Sequence, residues 1–190
     1  MPGQNYRRTL NTAEMAQAEQ AIRKAGLISF VALGLAIPVA YFLLPVWIAF
    51  PDALADRLAF AARSGVWVLF CVVVGVGMVS TARRRSPEDI GGSAGGPPSE
   101  KIAISVAFLQ NTLEQAVLAV GLYLALATLV SGPWLSLIPV GVVFFLLGRV
   151  LFYRGYPQGA EGRALGMSLT TTPTALGYVL VMVLMVMRWF

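Results

Sequence analysis

The sequence contains no histidine, a single cysteine and few charged residues. Without histidine, the chain lacks the commonest general acid or base near neutral pH and a frequent ligand of haem and zinc. The lone cysteine, Cys71, cannot form an intrachain disulfide, and it lies in an apolar block, where we expect a small core residue. We therefore predict no metal site. Any chemistry must depend on other side chains or on a bound molecule.

Only 12% of the residues are charged, whereas 57% are hydrophobic. An average soluble domain has about 25% charged residues, and a soluble domain of 190 residues could not bury this much apolar surface. The net charge is +5, but the basic residues cluster between apolar blocks, as topology signals do. We therefore predict a multi-pass membrane protein surrounded by lipid, with no nucleic-acid partner.

Apolar segments mark the expected membrane spans, each of which needs about 20 residues as a helix. Five segments qualify or nearly qualify: Leu27–Phe50, Val66–Ala82, Ile102–Val130, Leu135–Phe152 and Leu165–Met187. The polar residues 1–26 are predicted to form a helix, since Asn11 and Glu14 resemble a capping pair. The fold class is accordingly an all-α transmembrane helix bundle.

The positions of Lys and Arg predict the orientation. Eleven of the 14 basic residues lie on one side of a five-span topology: Arg7, Arg8, Arg23, Lys24, Arg83, Arg84, Arg85, Lys101, Arg149, Arg154 and Arg163. Because basic residues accumulate in cytoplasmic loops, the N-terminus and the second and fourth loops should be cytoplasmic. The second loop is rich in Gly and Pro and is expected to be a flexible connector.

The third segment carries the polar residues Gln110, Asn111, Glu114 and Gln115, which fall within about 140° of the helix circumference. A carboxylate within a membrane costs about 2.5–3.5 kcal/mol on insertion scales, so Glu114 should face protein or water. The amides could simply join helices, but an intramembrane carboxylate indicates function.

The fourth and fifth segments add Arg149, Tyr156 and Arg163. The arginines could be topology anchors whose side chains reach the interface, and the tyrosine could belong to an interfacial aromatic belt. Arg163 is harder to explain in this way. It opens the fifth segment on the same side of the membrane as the polar face around Glu114.

The order of these features resembles a known family. Ala82-Arg83-Arg84 closes one helix and Pro97-Pro98 lies in the loop; then come Asn111-x-x-Glu114, Arg149 with Gly155-Tyr156, and Arg163. This order is similar to the MAPEG family, the membrane-associated proteins in eicosanoid and glutathione metabolism, which includes the microsomal glutathione transferases. The resemblance covers about Val66 to Met187.

The resemblance implies a four-helix domain at residues 66–190, preceded by an extra transmembrane helix at 27–50. The polar helix predicted at 1–26 would then be a cytoplasmic N-terminal element. The resemblance further implies a homotrimer that binds glutathione, as a cosubstrate, between protomers near the cytoplasmic face. Asn111 and Glu114 would bind glutathione, with Arg83 or Arg84, Arg149 and Tyr156 around it. Arg163 matches the arginine that stabilises the thiolate, and so it is the predicted catalytic residue.

The predicted function is that of a glutathione-dependent transferase or peroxidase acting on a lipophilic substrate, in a bacterial inner membrane. The alternative is a non-enzymatic membrane scaffold or carrier with the same fold. Two departures from the family pattern favour the alternative, because Ala107 and Phe152 stand where the family usually has Arg and Tyr. The retained Arg163 favours the enzyme.

Overall fold

The computed structural model describes residues 11–188, which form five α-helices and no strand. The helices are α1 (Thr12–Trp47), α2 (Leu54–Arg84), α3 (Glu100–Leu129), α4 (Leu137–Gly155) and α5 (Gly159–Met187). Short 3-10 helices lie in the connections at Gly92–Gly95, Gly132–Ser136 and Tyr156–Gln158. Arg7 and Arg8, which contributed to the predicted orientation, lie outside the described residues.

Four helical stretches of the described chain are long and apolar enough to cross a membrane when Gly132–Met187 is counted as one. That stretch turns back on itself at Tyr156–Gln158, so that α4 and α5 pack against each other. Each of the five predicted apolar segments therefore lies wholly or mostly within a helix of its own. The predicted all-α membrane bundle is confirmed.

The predicted polar helix at 1–26 and span at 27–50 are not separate elements where the structure describes them. From Thr12 to Trp47 the chain is one helix. The predicted capping pair is confirmed: the Asn11 side chain accepts a hydrogen bond from the Glu14 backbone N–H at 2.8 Å, and Glu14 accepts one from the Asn11 N–H at 3.0 Å. Residues rich in helix propensity continue the backbone hydrogen bonding beyond the apolar part, so the polar and apolar halves merge.

The second helix begins at Leu54, twelve residues before the predicted start at Val66. The apolar sequence marks only the part of a helix that lies in lipid, and the helical hydrogen bonding continues beyond it, as in α1. Arg57 in this extension donates to the Val130 carbonyl at 2.6 Å. Its guanidinium thereby satisfies a free carbonyl at the C-terminal end of α3.

The helices α4 and α5 approach each other closely through glycines. A Cβ atom on Gly166 would lie 2.1 Å from the Phe152 backbone nitrogen, and one on Gly155 would lie 2.0 Å from the Gly162 carbonyl oxygen. Small residues of this kind allow helix backbones in a membrane to approach closely. The tight hairpin places the C-terminal end of α4, which carries Tyr156, beside the start of α5, which carries Arg163.

The helices α2, α3, α4 and α5 share one buried apolar core, whereas α1 packs mainly against α5. Between α1 and α4 a smaller cluster includes Leu33, Ala40, Val140 and Phe144. The buried hydroxyl of Ser29 in α1 donates to the Ser168 carbonyl in α5 at 3.0 Å. The first helix is therefore joined to α5 at Ser168, five residues after Arg163.

The loop between α2 and α3, which was expected to be a flexible connector, is joined to the start of α3 through Asp89. Its carboxylate accepts hydrogen bonds from the Ser86 hydroxyl, the Ser99 backbone N–H at 2.8 Å and the Ser99 hydroxyl at 2.6 Å. These bonds favour the charged form, so the Ser86 hydroxyl first, and then Ser99, hold the pKa of Asp89 below its ordinary value. A single carboxylate thus ties the loop to the start of α3.

Candidate functional site

A cleft of about 340 Å³ lies where the turn between α4 and α5 meets α1 and α3. Its polar lining includes Asn111, Tyr156 and Arg163, three of the seven predicted site residues. The remaining lining comes from Ile22, Phe152, Ala160, Ala164, Met167 and Ser168. Residues far apart in the sequence therefore converge on one cavity.

Arg163 supplies the positive charge of the cleft. Its guanidinium carbon lies 4.7 Å from the centre of the Tyr156 ring, which is a cation–π geometry. Among residues 11–188, no carboxylate forms an ion pair with it. The ring restricts the guanidinium without neutralising it, so the charge is free to attract an anion that enters the cleft.

Asn111 is oriented by a buried arginine behind the cleft. Arg149 is only 2% exposed, and its Nη1 donates to the Asn111 Oδ1 atom at 2.7 Å. Because the carbonyl oxygen of Asn111 is occupied, its amide N–H groups are those that it can offer to a ligand. Arg149 does not itself line the cleft. Arg149, which was predicted to bind glutathione, therefore lies behind the cleft wall and contacts Asn111, which does line the cleft.

The rest of the Arg149 side chain is satisfied by α4 and α5. Its Nε and Nη2 atoms donate to the Thr170 hydroxyl oxygen at 3.2 and 2.7 Å, and that hydroxyl donates to the Gly166 carbonyl at 3.0 Å. Its guanidinium carbon also lies 4.7 Å from the centre of the Phe152 ring. This network holds a cation inside an apolar bundle, where an unpaired charge would be costly.

Glu114 lies on the outer surface of α3 and does not line the cleft. Its Oε1 atom accepts a hydrogen bond from Gln110 at 3.2 Å. The polar arc predicted on α3 is therefore divided: Asn111 and Gln115 turn towards the bundle, while Gln110 and Glu114 turn outwards. The polar arc is offset from the strip that α3 buries within one chain, which is centred on Thr112 and Ala119, so only one side of the arc faces inwards. The outward part is left among exposed apolar side chains such as Leu113 and Val117.

Arg83 and Arg84 lie at the end of α2, apart from the cleft. Arg83 lines a second cavity of about 310 Å³ beneath the α2–α3 loop, where its Nη2 atom donates to the Ser93 hydroxyl at 3.1 Å. Arg84 is exposed and lies 3.4 Å from the Thr81 hydroxyl. Within a single chain, these two arginines do not join Asn111, Tyr156 and Arg163.

Comparison with protein families matches residues 58–184, about two-thirds of the chain, to the MAPEG family. The chain belongs to the MAPEG family. No curated protein and no solved structure matches it. The match begins in α2 and ends in α5, so the polar cleft residues lie within it and α1 precedes it. MAPEG proteins are generally trimeric and associated with glutathione.

Thr170 and Ile22 contribute to this site and were not among the predicted residues. Thr170 belongs to a run of hydroxyl residues before Pro173, and hydroxyls near a proline in a membrane helix commonly bond helix carbonyls. It does bond a carbonyl, but it is also the main partner of Arg149. An arginine within an apolar helix requires a polar partner on a neighbouring helix, and this signal could have identified Thr170. No sequence signal places Ile22 of α1 in the cleft wall.

The chemistry available in the cleft is that of anion binding beside an apolar wall. Arg163 provides a permanent positive charge, Asn111 provides amide donors, and Met167 and Ala164 provide apolar surface. Within the described residues, no group of three or more His, Cys, Asp or Glu side chains could hold a metal ion. The arrangement fits a small anionic nucleophile next to a lipophilic reactant.

Proposed function

We propose that this MAPEG protein is a glutathione-dependent transferase or peroxidase that acts on a lipophilic substrate. The observation that carries the proposal is the uncompensated guanidinium of Arg163, stacked on Tyr156 in the cleft that Asn111 also lines. Family membership supports it, because MAPEG proteins are generally associated with glutathione. The catalytic residue in this proposal is Arg163.

Arg163 acts on the ionisation of the glutathione thiol. A free thiol has a pKa of about 8.5, so only a few per cent is thiolate at pH 7. A fixed guanidinium favours the charged sulfur, and each pKa unit corresponds to about 1.4 kcal/mol. Arg163 does not accept the released proton, because its guanidinium is already protonated; the proton passes to solvent. In conjugation the thiolate forms a bond to an electrophilic carbon, while the bond from that carbon to its leaving group breaks and the leaving group departs with the electron pair. In peroxide reduction the thiolate attacks one peroxide oxygen and the O–O bond breaks, so that the alkoxide leaves and takes a proton from solvent. The resulting glutathione sulfenic acid reacts with a second glutathione to give the disulfide and water.

The other predicted residues hold the remainder of the tripeptide. Glutathione carries two carboxylates, which suit Arg83 and Arg84, and an amine, which suits Glu114. Asn111 donates from its amide, and Arg149 keeps that amide oriented through the bond to its oxygen. In this scheme Arg149 is a positioning residue, since Thr170 and the Phe152 ring already engage its guanidinium.

Glu114, Arg83 and Arg84 reach the ligand only if a neighbouring protomer completes the site. We propose a homotrimer with glutathione bound between protomers. The outward position of Glu114 supports this arrangement, because a carboxylate facing lipid costs about 2.5–3.5 kcal/mol, and a second protomer packed on α3 removes that exposure. The general trimeric state of the family supports it as well.

The protein would cross a bacterial inner membrane several times, with its N-terminus in the cytoplasm. The α2–α3 loop, with Arg83, Arg84, Arg85 and Lys101 in or beside it, and the α4–α5 turn, flanked by Arg154 and Arg163, would face the same side. The cleft would then open towards the cytoplasm, and its apolar wall would meet membrane lipid.

The alternative is a non-enzymatic scaffold or carrier with the MAPEG fold. One observation favours it: the guanidinium of Arg149 is bonded to Asn111 and Thr170 without a ligand. Phe152 also favours the alternative, because its ring covers the guanidinium of Arg149 and offers no hydroxyl to an anion. Ala107 likewise withholds the positive charge that the family usually has at that position.

The two functions are separated by measuring the thiolate of bound glutathione. The ultraviolet absorbance of the thiolate is recorded against pH for the purified protein with glutathione. Wild type should show thiolate near neutral pH, and Arg163→Leu should return the apparent pKa towards 8.5. Arg163→Lys should keep part of the effect, because the charge survives without the planar fork.

Arg154→Leu is the matched control, since Arg154 is a basic residue at the same end of the bundle that does not line the cleft. It should leave the thiolate signal unchanged. If wild type binds glutathione without a thiolate signal, Arg163 is a topology anchor and the scaffold is the correct function. If glutathione does not bind at all, the enzyme proposal fails outright.

A further inference from the structure

A second, apolar cavity of about 170 Å³ lies between α1 and the helices α3, α4 and α5. Leu33 and Ile37 of α1 form one wall, and Leu126 and Val140 belong to the opposite side. Tyr123 lines it from a position twelve residues after Asn111 on α3, roughly 18 Å along the helix axis. This cavity is therefore distinct from the cleft of Arg163 and lies towards the other end of the bundle.

The cavity contains one unused hydrogen-bonding group, the Tyr123 hydroxyl. Tyr123 is 3% exposed, and within residues 11–188 its hydroxyl makes no hydrogen bond to the protein. A Cβ atom on Gly141 would lie 2.9 Å from this oxygen, so glycine at that position leaves room for the hydroxyl. Buried tyrosine hydroxyls normally have a partner. An unpartnered one beside an open cavity points to a ligand.

Water is a poor occupant of this space. A buried water needs about two to four polar partners, and the only other polar side chain in the lining is Thr174, which already donates to the Thr170 carbonyl at 3.0 Å. The lining has no charged side chain, so an ionic ligand is also disfavoured. An apolar molecule with a single acceptor atom could pack against the apolar lining and accept a hydrogen bond from the Tyr123 hydroxyl.

We propose that this cavity binds a lipophilic carbonyl compound whose oxygen accepts a hydrogen bond from Tyr123. The volume sets the size, since an apolar cavity of about 150 Å³ accommodates benzene; the site therefore fits one six-membered ring with a short substituent, or the equivalent end of a longer molecule. Its position among membrane-spanning helices places it at the depth of the lipid phase. The extra helix α1 forms part of the wall, so the site depends on the element that precedes the family match.

Photolabelling with acetophenone tests the proposal. Acetophenone is a one-ring ketone that inserts into nearby C–H bonds on irradiation, and adducts on the purified full-length protein can be located by peptide mass spectrometry. Labelling of peptides that contain Tyr123 and Val140 should saturate with acetophenone concentration. Tyr123→Phe, which removes only the hydroxyl, should raise the half-saturating concentration roughly three- to tenfold, the effect of one hydrogen bond.

A matched pair of α1 variants tests the cavity itself. Ile37→Phe fills the cavity and should abolish saturable labelling, whereas Leu35→Phe adds the same volume at an exposed position on the same helix and should leave it intact. The proposal is overturned if labelling spreads over the lipid-facing surface without saturation. It is also overturned if Tyr123→Phe and Ile37→Phe both label like wild type. Neither result bears on glutathione binding at Arg163.

Discussion

Replacing Thr170 by valine tests how the buried Arg149 is supported. The hydroxyl of Thr170 accepts hydrogen bonds from two nitrogen atoms of Arg149, at 2.7 and 3.2 Å. Valine has nearly the same shape but no acceptor, so the substitution leaves a buried guanidinium with Asn111 as its remaining hydrogen-bond partner. We expect a lower stability and, because Arg149 orients Asn111, a less ordered cleft.

The magnitude follows from the charge of the donor. A hydrogen bond to a charged group contributes about 1.5–3 kcal/mol, whereas a neutral one between membrane helices averages about 0.6 kcal/mol. Two bonds to one guanidinium do not add fully, so we expect Thr170→Val to cost about 2–3 kcal/mol. In a chain of this length that corresponds to a fall in Tm of roughly 4–12 °C.

Thr171→Val is the matched control. The Thr171 hydroxyl donates only to the Met167 carbonyl, at 3.0 Å, one turn earlier in the same helix, so its loss should cost about 0.6 kcal/mol or less. Thermal unfolding of both variants in the same detergent gives the comparison. Equal losses for Thr170→Val and Thr171→Val would refute the reasoning, because they would mean that the guanidinium does not depend on Thr170.

Three further predictions concern the hairpin, the loop and the topology. Gly166→Ala should destabilise the protein by about 1–3 kcal/mol, because the added Cβ atom meets the α4 backbone. Gly34→Ala is the control: nothing lies within 4 Å of its Cβ atom, so it should be neutral or stabilising in the same unfolding assay. Equal effects of the two substitutions would contradict the close contact between α4 and α5. Asp89→Asn should lower Tm near neutral pH. Because the pKa of Asp89 is lowered, the wild-type advantage should be full above about pH 4 and should vanish as pH falls through the folded-state pKa; an advantage that persists in strong acid would exclude this origin. Cysteine-accessibility labelling on a Cys71-free background should place Gly95 and Gly159 in the cytoplasm and Ala55 outside, and labelling of Gly95 and Ala55 from one side would disprove the topology.

The helices were predictable because lipid imposes a strong rule on the sequence. Backbone groups in a membrane must bond within the chain, so a long apolar segment has few alternatives to a helix. The ends were less predictable. The hydrophobicity of the sequence changes at the membrane surface, but the hydrogen bonding of a helix continues past it. For this reason α2 extends back to Leu54, and α1 runs through the boundary expected at residue 26.

Three of the seven predicted site residues line one cleft, and the other four do not. Asn111, Tyr156 and Arg163 converge on one cleft, as their order along the chain suggested. Helical spacing alone could not show which part of the α3 arc faces inwards, because that depends on how α3 packs against its neighbours. Helix packing also decides the position of Arg149, which was expected beside the ligand. The glycines let α4 approach α5 closely, and the Arg149 side chain bonds to Thr170 of α5.

The course of α1 has a mechanical consequence. It is one helix of 36 residues, about 54 Å long at 1.5 Å per residue, and so it exceeds the roughly 30 Å hydrocarbon core of a bilayer. Ile22 lines the cleft of Arg163, Leu33 lines the apolar cavity, and Ser29 between them is bonded to α5. Helices adjust to bilayer thickness by tilting. If α1 tilts about Ser29, Ile22 and Leu33 move in opposite directions relative to α5. A thinner or thicker membrane would then widen the cleft of Arg163 while it narrows the apolar cavity, or the reverse.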